Sequence, residues 1–456
     1  MRINVKRTLL FFLMVGILVQ SVHGQGLNTQ DPSIKEMLSR ISPQEIENDI
    51  RSLVKFGTRH TLSDTISTTR GIGAAQRWVK LQLEKYSKAS GGRLKVSMDT
   101  FILPADGNRV KQDRPVRNIM AFLPGTDTAD HEILIISGHI DSRASDVLDA
   151  NVDAPGANDD GSGTATVMEL ARVMSFYSFP KTILFVVVTG EEQGLLGAAH
   201  LAKMAKENHW EIPAMLDNDI VGNTYGIGNG NRDNIDLRIF SEGIPADAQD
   251  SYRKTLRETG YENDGPARSL ARYIHELGEK YVDQVNIKMI YRRDRYLRGG
   301  DHTAFSKEGF PAVRFTEMNE NFNRQHQTVR TEKGVEYGDL PDYCDYPYIA
   351  KVASVNGAVL AELAQAPSKP ENFRVDTREL GNFTQLSWKP GKYGKPAGYY
   401  ILIRETSSTL WEKKYFTDQT HIQLNYSKDN YLFGIQAVDS KGHLGIIICP
   451  MPDSGK

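Results

Sequence analysis

Between residues 137 and 222 the chain repeats one pattern: a short, almost continuously apolar run, then at once acidic residues or a histidine. The run at 132–137 leads into Gly138-His139-Ile140-Asp141, the run at 182–188 into Thr189-Gly190-Glu191-Glu192, and a third into Asp217-Asn218-Asp219. Apolar runs of this length predict strands buried on both faces. Alternating with a helix predicted over 164–174, they predict an α/β protein, a mixed central sheet flanked by helices, whose polar loops sit at the strand ends. Upstream, Ser42-Pro43-Gln44-Glu45 predicts a helix start, with Ser42 as cap and Glu45 as its capping-box partner. A second helix is predicted over 69–86 from the apolar face of Ala74, Ala75, Trp78, Val79, Leu81 and Leu83. Alternating stretches at 94–103 and 116–123, separated by Pro and Gly turns, predict the sheet's antiparallel side. Beyond a proline-bearing linker at 365–370 the pattern becomes short alternating strands at 372–375, 384–388, 398–404 and 431–438, which predicts a small all-β sandwich.

The first 24 residues break from this picture. Arg2, Lys6 and Arg7 precede an apolar run at 9–19, and small or tolerated residues follow before Gln25. This is the three-part pattern of a secretory signal peptide, too short for a stable membrane span. The expected organisation is therefore a signal peptide at 1–24, a main domain at 25–366 and a tail domain at 367–456, with export to the periplasm or outside the cell. Composition adds limits. The chain of 456 residues carries 55 basic and 57 acidic side chains; losing the three leader cations leaves 52 against 57, so nothing favours nucleic acid or an anionic surface. Two cysteines, Cys344 and Cys449, exclude a cysteine-based zinc site and a disulfide-rich scaffold, although export would permit one bridge.

The polar loops hold the candidate chemistry. Asn158, Asp159 and Asp160 precede a helix, where one acid would serve as an N-cap. Three such residues after a Pro-Gly turn exceed that need. Glu191 and Glu192 at the mouth of a buried strand repel each other, a conflict that a metal ion removes. Histidine and carboxylates without thiolates suit zinc, with manganese or cobalt as alternatives, and a bridging carboxylate would permit two ions about 3.5–4 Å apart. A second histidine is needed. His275 lies in a predicted helix as a surface or packing residue; His302, in Gly299-Gly300-Asp301-His302, and His326 are not separated by spacing alone.

The ordered set His-x-Asp, Gly-Ala-Asn-Asp-Asp-Gly-Ser-Gly, Gly-Glu-Glu-x-Gly-Leu-x-Gly, Asn-Asp-Ile-Val-Gly, Asp-His-x-x-Phe and a late histidine resembles the co-catalytic zinc aminopeptidases of the bacterial leucyl aminopeptidase type. That group also contains glutamate carboxypeptidase II and glutaminyl cyclases, and the likeness spans roughly residues 40–365. It implies the zinc exopeptidase fold and two zinc ions bridged by Asp159, with His139 and Asp219 on one and Glu192 and His326 on the other. It further implies Glu191 as general base, Asp141 holding the His139 ring, and Asp301 and His302 beside the substrate pocket. The family commonly places an acid four residues after the last histidine; here Arg330 stands there. The implied activity is removal of N-terminal residues from peptides. Alternatives are a cyclase or carboxypeptidase on the same scaffold, or a non-catalytic receptor-like protein. Trp388, the run Gly398-Tyr399-Tyr400-Ile401 and Tyr431 resemble a fibronectin type III domain, which implies an interaction, spacing or stabilising role. The basic stretch Arg292, Arg293, Arg295 and Arg298 is expected to be a solvated loop, with a preference for acidic substrates as the alternative.

Overall fold

The computed structural model describes residues 30–378 and 380–453; the expected leader at 1–24 lies outside them. Three helices come first among the described residues, α1 (Pro32–Leu38), α2 (Pro43–Val54) and α3 (Gly71–Ala89). Ser42 caps α2 by accepting the Glu45 amide at 3.3 Å. The reciprocal arm differs from the expected box: the Ser42 amide is taken at 2.6 Å by Glu169, a helix away. The second helix starts at Gly71 instead of 69, because the Ser67 hydroxyl accepts the amides of Thr69 and Arg70 and holds them in a turn.

Next come β1 (Lys95–Leu103), β2 (Arg114–Leu123), β3 (Glu132–His139), α4 (Gly161–Met174), β4 (Thr182–Val188), α5 (Leu196–Glu207) and β5 (Glu211–Asn218). They are followed by β6 (Asp236–Ser241), α6 (Asp250–Thr259), α7 (Pro266–Tyr281), β7 (Asn286–Ile290), α8 (His302–Lys307) and β8 (Ala312–Glu317). A small hairpin of β9 (Arg330–Glu332) and β10 (Val335–Tyr337) precedes α9 (Tyr346–Gln365). The sheet runs β1-β2-β4-β3-β5-β8-β6-β7. Its centre, β4-β3-β5-β8, is parallel, while β1 and β2 form the antiparallel side anticipated from their alternation. Helices α4, α7 and α9 cover one face and α5 and α8 the other, so the central strands are buried on both sides.

One close approach sets up the centre. A Cβ on Gly138 would lie 2.5 Å from the Gly163 carbonyl carbon, and one on Gly163 would lie 2.0 Å from the Asn218 carbonyl oxygen. Only glycine lets β3, the start of α4 and the end of β5 meet backbone to backbone, and the three loops leaving them converge.

The tail forms two facing sheets. β11 (Glu371–Asp376), β12 (Thr384–Lys389), β15 (His421–Leu424) and β17 (Met451–Asp453) make one; β13 (Gly398–Glu405), β14 (Lys413–Thr417) and β16 (Tyr431–Val438) make the other. Phe373, Leu386 and Trp388 pack against Ile401, Phe433 and Ile435 between them. Three of these strands, β14, β15 and β17, escaped the sequence pattern: β14 is exposed along most of its length and the other two are short. The tail is docked, not dangling. Asp264 takes Arg272 at 2.7 Å and Arg404 of β13 at 2.7 Å, all three deeply buried. Tyr273 donates to the Leu444 carbonyl at 2.6 Å. Cys344 and Cys449 are free thiols.

Candidate metal centre

Each strand end contributes a loop. At the end of β3 the His139 amide donates to Asp160 (2.9 Å), the acid that also caps α4 through the Gly163 amide at 2.9 Å. That explains one of the three consecutive polar residues as a cap. The His139 ring donates from Nδ1 to the Asp141 backbone carbonyl at 3.0 Å, which leaves the Nε2 lone pair facing Asp159 Oδ1 (3.3 Å) and Asp219 Oδ1 (3.7 Å). Asp159 turns its other oxygen to His326 Nε2 at 2.9 Å, and His326 in turn lies 2.9 Å from Glu192 Oε1. Two groups of possible ligands result, His139-Asp159-Asp219 and Asp159-Glu192-His326, and Asp159 belongs to both.

The donor chemistry fits metal. His139 Nε2 and Glu192 Oε1 are buried and make no hydrogen bond, although each lies close to another donor atom. Buried polar atoms left without hydrogen bonds are costly unless a ligand uses them. Each sits in one of the two ligand groups, as a set built around ions requires. The charges agree. Burial works against a positive charge on His326, yet Glu192 and Asp159 push its ring up to about 10, so the surroundings of this group favour a cation. Glu191 stands beside both groups and belongs to neither. Burial, with Asp219, Glu192 and Asp159 opposing the pull of His139, holds its carboxyl well above the usual range.

The other site residues fall unevenly. Asp141 holds the His139 ring through its backbone carbonyl and not, as expected, through its side chain: the carboxylate is 3.6 Å from Nδ1, beyond hydrogen-bond distance. It is saturated instead by the amides of Gly190 (2.8 Å), Glu191 (3.2 Å) and Glu192 (3.1 Å) and by the Thr61 hydroxyl (2.8 Å). Asp141 therefore fixes the loop that presents both glutamates. His302 is held between the Arg293 carbonyl (2.7 Å) and Asp217 (3.3 Å) and joins neither ligand group. Asp301 is fully buried with neither oxygen hydrogen-bonded; burial, then Asp217 and Glu191, raise it well above the usual range. His275 pairs at 3.5 Å with Glu279 of its own helix. The basic stretch is only partly solvated: Arg295 and Arg298 both reach Glu320, at 3.2 and 3.1 Å.

Three important partners were missed from sequence. Asp339 accepts the amides of Asn158 (2.9 Å) and Asp159 (2.7 Å) and so orients the shared carboxylate, but as a lone acid in a loop it gave no local signal. Gln325 donates to Asp159 Oδ2 at 3.1 Å. Arg314, wholly buried in β8, contacts Asp219 Oδ2 at 2.9 Å and Asp294 at 3.1 Å. A cation inside the apolar run Ala312-Val313-Arg314-Phe315 was a readable signal, since such a charge needs a buried partner.

A model of peptidase family M28 matches residues 118–340. A probable zinc metalloprotease of Leptosphaeria maculans is 41% identical, over 92% of this chain and 97% of its own. One of Pyricularia oryzae is 39% identical over 92% and 85%. Among solved structures, the Legionella pneumophila LapA aminopeptidase aligns at a TM-score of 0.51 and 20% identity, covering 74% of this chain and 76% of that one. The aminopeptidase of Aneurinibacillus sp. strain AM-1 aligns at 0.50 and 15%, covering 73% and 96%. These structural likenesses carry the fold.

Proposed function

The chain belongs to peptidase family M28, and from that membership and the geometry of its centre we propose that it is an exported zinc aminopeptidase using two ions. The observation that carries this reading is Asp159, whose two oxygens face two separate ligand groups. His139 and Asp219 would hold one zinc, Glu192 and His326 the other, with Asp159 between them. Bound zinc supplies Lewis acidity, lowering the pKa of water to about 7 and polarising a peptide carbonyl.

The protein's own residues supply the rest. Glu191, held by the loop that Asp141 fixes, takes the proton of the attacking water and returns it to the leaving amine. The carboxylates around it offer acceptors for a substrate's free α-amino group. Asp301 and His302 would border the pocket. The signal pattern at 1–24 supports export. The domain at 367–456 serves as a fibronectin type III-like brace, in keeping with the buried Arg272-Asp264-Arg404 junction.

A panel of aminoacyl-arylamides, assayed with and without chelator beside metal analysis, tests the proposal. Chelator-sensitive release with two zinc ions per chain is expected, and activity untouched by a strong chelator overturns it. Peptides with blocked N-termini should resist; turnover of blocked peptides, or cyclisation of N-terminal glutamine, would assign the scaffold to another reaction.

A further inference from the structure

Arg143 is the unusual cation of this centre. The neighbouring backbone is fixed, since the Ser142 hydroxyl donates to the Ala154 carbonyl (2.7 Å) and accepts the Arg59 amide (3.1 Å). Beyond it, Ser145 and Thr328 exchange hydrogen bonds that tie this loop to the one carrying His326. The Arg143 side chain is about four-fifths covered, with 21% of its surface exposed. Only Nε is used, donating to the Ala144 carbonyl at 3.3 Å. Among the described residues neither terminal nitrogen makes a hydrogen bond, and the nearest carboxylate, Glu192 Oε2, is 4.0 Å from Nε.

The deeply buried guanidinium groups are treated differently. Arg59 donates to the carbonyls of Ile140, Pro155 and Gly156, and Arg314 and Arg404 pair with carboxylates. A guanidinium whose stem is mostly covered while its planar fork is left unused by the described residues is available to an incoming partner, and the shape that fork matches is a carboxylate. From the β1–β2 connection Arg109 donates to the Glu192 backbone carbonyl at 2.9 Å, placing a second, partly exposed guanidinium by the same glutamate.

Resting on the aminopeptidase reading, we propose that Arg143, assisted by Arg109, recognises a carboxylate on the peptide substrate. The enzyme then prefers short or acidic peptides to neutral ones. The carboxylate has three possible positions: the free C-terminus of a dipeptide, the second side chain, or the first.

Four substrates separate them: Leu-Gly amide as the neutral reference, Leu-Gly free acid, Leu-Glu amide and Glu-Gly amide. At least one acidic substrate is expected to exceed the reference in kcat/KM by about 10–100-fold, the range of a hydrogen bond to a charged group. In Arg143→Gln that ratio should fall to near one, whatever happens to the rate common to all four, and Arg143→Lys should restore part of it. Zinc content and thermal melting of both variants report whether the fold and centre survive. A wild-type enzyme that cleaves all four equally overturns the inference, as does a preference that persists in a folded, zinc-loaded Arg143→Gln. An enzyme that turns over none of the four overturns the aminopeptidase reading itself.

Discussion

The two halves of the centre are made of different material. His139 and Asp219 leave the ends of β3 and β5, neighbouring parallel strands at the middle of the sheet. Glu192 and His326 lie in loops, and His326 takes a backbone φ of 55° while 27% of its side chain is exposed. The terminal carboxylate of each half has an arginine against its outer oxygen. Arg314 meets Asp219 at 2.9 Å with no exposure and is anchored again by Asp294; Arg143 meets Glu192 at 4.0 Å and keeps its terminal nitrogens free. The strand-built half is dry and locked. The loop-built half is open, and it is where a substrate would meet unspent donors.

The largest expected effect comes from the residue between the halves. Glu191→Ala should reduce turnover by about 10²–10⁴-fold, the usual contribution of a general base, with both ions retained. Metal analysis of the purified variant decides this, because loss of an ion would make Glu191 a ligand and end the division into two groups of three. Next, Arg314→Met should cost about 3–5 kcal/mol of stability, since it leaves Asp219 buried without its cation, while Asp294 keeps Arg295. Arg143→Gln should cost far less, because its partner is distant and the group partly wet. Denaturant titrations of the two variants measure the contrast directly, and equal losses would erase it.

A third test concerns ion content. His326→Ala should leave zinc in the strand-built half and empty the other, whereas His302→Ala should leave both, as its ring is committed to Asp217 and the Arg293 carbonyl. Stepwise chelator titration with elemental analysis reads the occupancy, and a reversed result would exchange the two histidines.

The same division explains what could be read from sequence. The strand-built half was legible because burial on both faces forces an unbroken apolar run, and a polar residue at its end then stands out. Asp159 and Glu192 were visible for the related reason that crowded acids beside a buried element need a counter-charge. His326 could not be separated from His302 by spacing, since a loop of irregular backbone imposes no periodicity; only resemblance chose between them. Asp339 was invisible because its work is done through two amides distant in sequence. For Asp141 the ring contact was expected of the carboxylate, because a His-x-Asp spacing does not show that three amides of another loop will take that carboxylate and leave the contact to the backbone carbonyl.

The smallest effect tests whether the centre's character is local, using an ion cluster that belongs to neither half. His443 of the tail lies 2.8 Å from Asp31, at the start of α1, and 2.8 Å from Asp439. Burial pulls the His443 ring down, but Asp31 and Asp439, with Glu362 nearby, push it above its ordinary value. Burial raises Asp31, but its bonds to His443 and Ser33 hold it at about 2. The signs follow from linkage. Stability from a protonated His443 is present below about pH 6.5 and is lost as pH rises through its raised folded value. The part owed to Asp31 is present above about pH 4 and is lost as pH falls toward its folded value. The clamp thus acts most strongly between about pH 4 and 6.5, and His443→Gln should lower the melting temperature there more than near pH 9. The Asp31 side chain keeps a partly exposed edge, so the effect is small. Zinc content and kcat/KM at a fixed pH should not follow it. If they did, the tail would be coupled to the centre, and the contrast between a locked and an open half could no longer be ascribed to their own residues.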